Sequence, residues 1–312
     1  MVVGRRLSAV SRTLHGRAPA AIPDVLATTC AAHTAGEYAV TRMTRAHMMV
    51  DTPDGMDGGD EDLAELRVLS RRVGDRYLRA QVASADAEAG MTRGRYEESR
   101  AAYQEALALA REVGAHGEEP FLLGRLAELS YQAGDLDAAT KGLDEAEAAA
   151  ERRHMPDAHA YVHDLRAAIA LTAGENPRAR RYADSARSAR PYGSRPPQFA
   201  AAVLGLSARI SVSEPSGGPA EGLRGVVEAL ALGVEARCVE VFTAHRAEVA
   251  AIVLAELGLF GTAARVLGAC ELWRAGGPRS AVEEADLPWW WDGCARSWGP
   301  FGTRRRPPWG AA

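Results

Sequence analysis

The sequence predicts an all-α fold, a tandem array of helix–turn–helix units wound into a right-handed superhelical solenoid. Three observations predict it. An internal repeat aligns without gaps and carries a glycine at each turn. Small residues recur at fixed steps on either side of that glycine. Prolines are confined to places where helices begin or end.

The repeat is visible in three segments, AEAGMTRGRYEESRAAYQEALALARE, AELSYQAGDLDAATKGLDEAEAAAER and AAIALTAGENPRARRYADSARSARPY. Their turn glycines, Gly94, Gly134 and Gly174, stand 40 residues apart. Glycine suits a turn between two antiparallel helices, because a left-handed backbone costs it nothing. Ala87, Ala127 and Ala167 precede the turn. Ser99, Ala139 and Ala179 follow it, then Tyr103, Leu143 and Ala183, then Ala106, Ala146 and Ala186. The small positions let the two helices approach, and the larger third position fills the gap to the next pair.

The segment AAIVLAELGLFGTAARVLGACELWR repeats the frame with Gly258 as turn, Ala251 and Ala263 as small contacts, Leu267 as filler and Cys270 in the last small position. A looser unit precedes it. Its first helix falls near 198–212, SEPSGGPAEG makes a longer turn, and Gly222, Val226 and Ala229 resume the frame. Pro120, Pro156 and Pro197 mark starts of first helices, Pro177 opens a second helix, Pro191 follows one, and Pro215 and Pro219 belong to the fourth turn. None interrupts a helix interior, where it costs about 3 kcal/mol or more.

Before the array, AHTAGEYAVTRMTRAHMMVD reads as a further turn and helix with Gly36 in the turn, DTPDGMDGGDED as an acidic glycine-rich loop, and Asp62–Val73 as a second helix without its first. Residues 1–60 are therefore expected to be a degenerate cap, residues 61–276 an array of about five repeats, and residues 277–312 an irregular tail. That tail holds five of the six tryptophans. Trp289–Trp291 must be encoded TGGTGGTGG, which gives Val-Val one frame away, and GPFGTRRR gives GPVRYEAA in the neighbouring frame. A shifted reading frame explains this better than a Trp/Arg patch for nucleic acid or membrane.

Composition narrows the function classes. The 312 residues carry a formal charge of −4, with no general attraction to nucleic acid or anionic membrane. Lys141 is the only lysine and Asn176 the only asparagine among abundant arginine, alanine and glycine, the signature of a GC-rich genome such as an actinobacterium's. Cys30, Cys238, Cys270 and Cys294 form no CxxC pair, so a zinc knuckle is not expected and free thiols are. No apolar run is long enough for a signal or a membrane span, and a cytoplasmic location is expected.

The small–small–bulky–small spacing around a turn glycine resembles the tetratricopeptide repeat over roughly residues 62–275. It departs in its 40-residue period, against about 34 for that repeat. The segments AARVLGACELWRAGGPRSAVEEAD, RGRYEESRAAYQEALALAREVG and AELSYQAGDLDAA resemble the C-terminal region of actinobacterial SARP/AfsR-like transcriptional regulators, with LuxR-type ATP-binding regulators as a related match. That resemblance implies a protein-interaction and sensing array. The regulators' DNA-binding and ATPase activities do not carry over, because the chain contains no GxxxxGK[ST] loop and no basic recognition helix. A free-standing tetratricopeptide adaptor is the alternative.

No constellation for catalysis stands out. His159 and His163 share a helix face at metal-ligand spacing, with His154 nearby, but no third ligand is visible and a solvated face is the simpler reading. Glu88, Glu128, Asp135 and Asp137 recur with the repeat and read as exposed or capping residues rather than an acid–base pair. No enzyme activity, cofactor, metal or specific nucleic-acid partner is expected. The expected partner is a protein or peptide, or another domain of a regulator, held in a groove lined by outward positions of the first helices. Those positions are Gln81, Phe121, Tyr161 and His245 in one row, Glu88, Glu128, Ala168 and Ile252 in the next, and Met91, Tyr131, Leu171 and Ala255 beyond.

Overall fold

A computed structural model describes residues 55–189, 197–213, 218–236, 238, 240–274, 277 and 279–285. The helices are α1 (Gly55–Val73), α2 (Arg76–Thr92), α3 (Tyr96–Glu112), α4 (Glu119–Gln132), α5 (Leu136–Arg152), α6 (Pro156–Thr172), α7 (Asn176–Ser188), α8 (Pro197–Ser213), α9 (Pro219–Glu235), α10 (Glu240–Glu256) and α11 (Phe260–Arg274). A short helical segment follows at 281–285, and the described residues contain no strand.

From α2 onward the helices pack in pairs: α2 with α3, α4 with α5, α6 with α7, α8 with α9, α10 with α11. Each pair stacks on the next, and α1 lies against α2. The first helices of successive pairs also adjoin, α4 against α6, α6 against α8 and α8 against α10. They form a continuous inner layer with the second helices outside, an all-α helical solenoid.

The turns explain the spacing. Gly94 donates its N–H to the Met91 carbonyl (2.9 Å) and Arg95 donates to Gly90 (2.9 Å). This double closure recurs at Gly114, Gly134, His154, Gly174 and Gly258. It requires a left-handed residue, and all six have positive φ. From Gly94 to Gly174 these residues fall every 20 positions, so the 40-residue period is two helix-plus-turn units of equal length. Asp75 and Asp135 begin α2 and α5 by accepting from the backbone N–H of Leu78 (3.0 Å) and Ala138 (2.9 Å).

The repeat residues pack as their spacing predicts. Ala87, Ala127, Ala167, Ser99, Ala139, Ala179, Ala106, Ala146 and Ala186 are all buried, and so are Ala251, Ala263 and Cys270 of the last pair. Tyr103 and Leu143 fill the gaps between helices. Burying a leucine in this way contributes about 1.5–3 kcal/mol. Cys270 is a free thiol in a small core position, and burial pushes its pKa up to about 12.

Three expectations are corrected. The stretch 51–62 is not all loop, because α1 begins at Gly55. Its opening turns are rich in acidic residues, which favour a helix N-terminus. Pro219 is not a turn residue but occupies the first turn of α9, where its missing N–H costs nothing. Residues 279–285 are not irregular tail. They dock on the array through Glu283 and Arg279. Gly36, Pro191, Pro215 and residues 286–312 lie outside the described residues.

Candidate functional site

The inner layer carries the side chains that sequence spacing assigned to the groove. Gln81, Glu88 and Met91 stand on α2, Phe121, Glu128 and Tyr131 on α4, Tyr161 on α6 and His245 on α10, all half-buried. The structure draws four of them around Arg125 of α4. Its guanidinium binds Glu88 across the pair boundary (2.7 Å) and Glu128 on its own helix (2.9 Å). It also lies 5.4 Å from the centre of the Tyr161 ring. The Tyr161 hydroxyl donates to Glu128 (2.6 Å), and Phe121 is tilted against the Tyr161 ring at 6.4 Å.

Gly124 makes this cluster possible. A Cβ there would stand 2.6 Å from Cε1 of Tyr161. The bare backbone of α4 lets the ring lie flat and reach Glu128. Burial opposes the charge on Arg125, but Tyr161, Glu128 and Glu88 outweigh it and hold the pKa above the ordinary arginine range. Burial pushes the Tyr161 hydroxyl upward against the Arg125 charge, and the Glu128 charge and hydrogen bond add to the rise.

The other expected groove residues are more dispersed. The Tyr131 hydroxyl meets the Thr172 hydroxyl (3.1 Å) at the turn end of the layer. Met91 packs against the central apolar cluster. His245 is bonded to Glu283 through Nδ1 (2.8 Å).

Sequence spacing missed two arginines. Arg125 occupies the register of Ala85 and Leu165, and Arg246 that of Val82, Leu122 and Val162, all of them buried apolar positions. A cation at a position that is apolar in neighbouring repeats is the signal that could have found them. Arg246 lies 4.1 Å from the centre of the Phe242 ring, with its stem where a Cβ on Gly205 of α8 would be. Its Nε is shielded from solvent and has no hydrogen-bond partner among the described residues. Burial pushes its pKa down despite the nearby charges of Asp164, Glu283 and Glu128.

A second polar network ties α5, α6 and α7 together. His163 contacts Ser185 through Nδ1 (2.7 Å) and Glu147 through Nε2 (3.1 Å). Arg166 donates to Glu147 and to Asp144, each at 2.7 Å. Glu147 is the third group near His159 and His163 that the sequence did not reveal, with ligand atoms all within 4.8 Å. Arg166 holds that carboxylate, and its positive charge opposes a cation there. His245, Glu248 and Glu283 form a similar group, engaged in the same way by Arg274.

No helix among the described residues is long and apolar enough to cross a membrane. No protein-family model matches the chain, and no curated protein sequence does either. The solved structures similar to this chain include NprR, BtubC and a domain of Sti1. NprR in complex with its cognate peptide NprX aligns with a TM-score of 0.57 at 13% identity, over 80% of this chain and 69% of that one. BtubC from P. vanneervenii has a TM-score of 0.47 at 18% identity, over 70% of this chain and 89% of its own. The TPR2AB domain of yeast Sti1 has a TM-score of 0.30 at 15% identity, over 76% and 91%.

Proposed function

We propose that the inner layer binds a peptide or a segment of a partner protein, and that the chain serves as a protein-interaction and sensing scaffold. The observation that carries this reading is the half-buried cluster of Phe121, Tyr161, Arg125, Glu88 and Glu128 on adjacent first helices. Aromatic anchors beside charged groups on a rigid helical layer suit an extended or helical peptide. NprR, similar in fold, is a structure with its cognate peptide, which makes the same use of this fold a natural starting point.

On the resemblance of the repeat segments, we assign the scaffold to a transcriptional regulator of the SARP/AfsR-like class. A free-standing adaptor is the alternative, and a neighbouring open reading frame encoding a winged helix distinguishes the two. The binding reading is tested by selecting peptides from a displayed library on the full chain. Selected peptides should lose affinity with Phe121→Ala or Tyr131→Ala and keep it with Val227→Ala on an exposed outer position. Selection of no peptide, or of peptides insensitive to the inner substitutions, overturns it.

A further inference from the structure

The inner layer already holds a carboxylate from its own chain. After α11 the backbone turns back, and residues 279–285 begin with a reciprocal cap. The Ser280 hydroxyl accepts from the Glu283 N–H (3.2 Å), and the Glu283 carboxylate accepts from the Ser280 N–H (2.9 Å). The other carboxylate oxygen accepts from His245 Nδ1 (2.8 Å) and Arg274 Nη2 (3.0 Å). Arg279, from the same segment, pairs with Glu248 (2.9 Å) and with Glu271. On the far side, Ala281 stands 3.7 Å from where a Cβ on Gly134 would be, at the α4–α5 turn. Tyr96, at the start of α3, lies within the fields of Glu283 and Glu284. The segment thus reaches from the last pair to the α4–α5 turn.

The groups facing Glu283 form a site for an anion. His245 is in the register of Phe121 and Tyr161, on the inner face. Arg274 is almost wholly buried and turns one Nη toward Glu283 while it binds Glu248 in two places. Arg246, one residue along α10 from His245, keeps an unbonded, shielded Nε. Burial outweighs the nearby charges of Asp164, Glu283 and Glu128 at this guanidinium. Glu88 and Glu128, by contrast, share the single guanidinium of Arg125.

We propose that Glu283 fills, from within the chain, a carboxylate site made by His245 and Arg274, and that the ligand of the inner face is an acidic peptide presenting a carboxylate there in its place. This rests on the peptide-binding reading above and names the chemistry of the peptide. The internal segment competes at an effective concentration set by its short tether, so it weakens any ligand that needs the same site. Binding and release of residues 279–285 are one exchange.

The probe is a fluorescent synthetic peptide of residues 277–287, tested on the full chain, on E283Q and on E283A. It should bind E283A at least about tenfold more tightly than wild type, because the tethered competitor is gone. The same peptide with glutamine in place of Glu283 should lose that binding. H245A, which removes a donor and leaves the segment's own glutamate intact, should weaken the peptide on the E283A background. If E283A or E283Q fails to fold by circular dichroism, hydrogen exchange on wild type decides. An acidic peptide from the library selection should then accelerate exchange at residues 279–285. Equal affinity of the glutamate and glutamine peptides for folded E283A, or library ligands that are basic and leave exchange at 279–285 unchanged, overturns this inference and leaves peptide binding itself standing. Absence of any selected peptide is instead the failure of the binding reading.

Discussion

His154 and Gly114 hold the same left-handed turn, one repeat apart, with φ of 52° and 70°. Each closes a second helix with the same pair of backbone hydrogen bonds. Only one of them is a residue for which that conformation is free of strain. For a side chain with a Cβ it costs about 1–2 kcal/mol. His154 is exposed, and no ring contact with another described residue offsets the cost. His154→Gly should therefore stabilise the array by about 1 kcal/mol, after the extra entropy of glycine in the unfolded chain is deducted. Gly174→Ala, at a turn with open space around it, should destabilise by a similar amount. Thermal melts of the two variants should move in opposite directions; a lower melting temperature for His154→Gly refutes the strain argument.

Gly124 and Tyr161 test how the inner cluster is made. Gly124→Ala forces the ring away from α4 and should destabilise by about 1–3 kcal/mol, the range for overpacking a tight contact. The same change should lower the affinity of any peptide that uses the cluster. Wild-type stability and wild-type peptide affinity in this variant would mean that the ring is not held where it is described.

Tyr103 is fully buried, and its hydroxyl has no hydrogen-bond partner among the described residues. Burial accordingly pushes its pKa far up. A buried polar atom without a partner costs about 1–3 kcal/mol, so Tyr103→Phe should be neutral or stabilising by about 1 kcal/mol. Urea titration reads this directly, and a loss of more than about 1 kcal/mol would reveal a partner for the hydroxyl.

Glu283 gives a pH dependence. Burial pushes its carboxyl up, but hydrogen bonds and charge from His245, the charge of Arg274 and the Ser280 N–H outweigh this and hold it well below the usual range. A carboxyl depressed in the folded state adds stability that is fully present above its unfolded value, about 4.3, and that is lost as pH falls towards the folded value. The melting-temperature gap between wild type and E283Q should be wide at pH 7 and shrink on acidification below about pH 4. A gap unchanged from pH 7 to pH 2 contradicts the pairing.

The fold was legible because packing in a repeat array is written locally. Ala139, Leu143 and Ala146 could be placed on one buried face of α5 from spacing alone, since each unit meets only its neighbours. The turn at His154 was not legible, because the residue type argues against the backbone it adopts. Nor was the role of Glu283, whose partners His245 and Arg274 lie 38 and 9 residues away in a contact that no periodicity specifies. Arg125 was not legible in the repeat, because it breaks the recurrence that defines the frame. The register of Ala85 and Leu165 turns from apolar to cationic in a single unit.

Ala281 lies beside the Gly134 turn, 147 positions away along the chain. A linear stack of helix pairs ordinarily frays: its terminal units open while the middle stays shut, and melting is broad. Here the stack is fastened across its opening, like a clasped bracelet rather than a rod. Opening the fifth pair draws Ala281 away from the Gly134 turn, and the reverse holds as well. Heat should therefore dismantle the array in one sharp transition, and undoing the clasp should split that transition into steps.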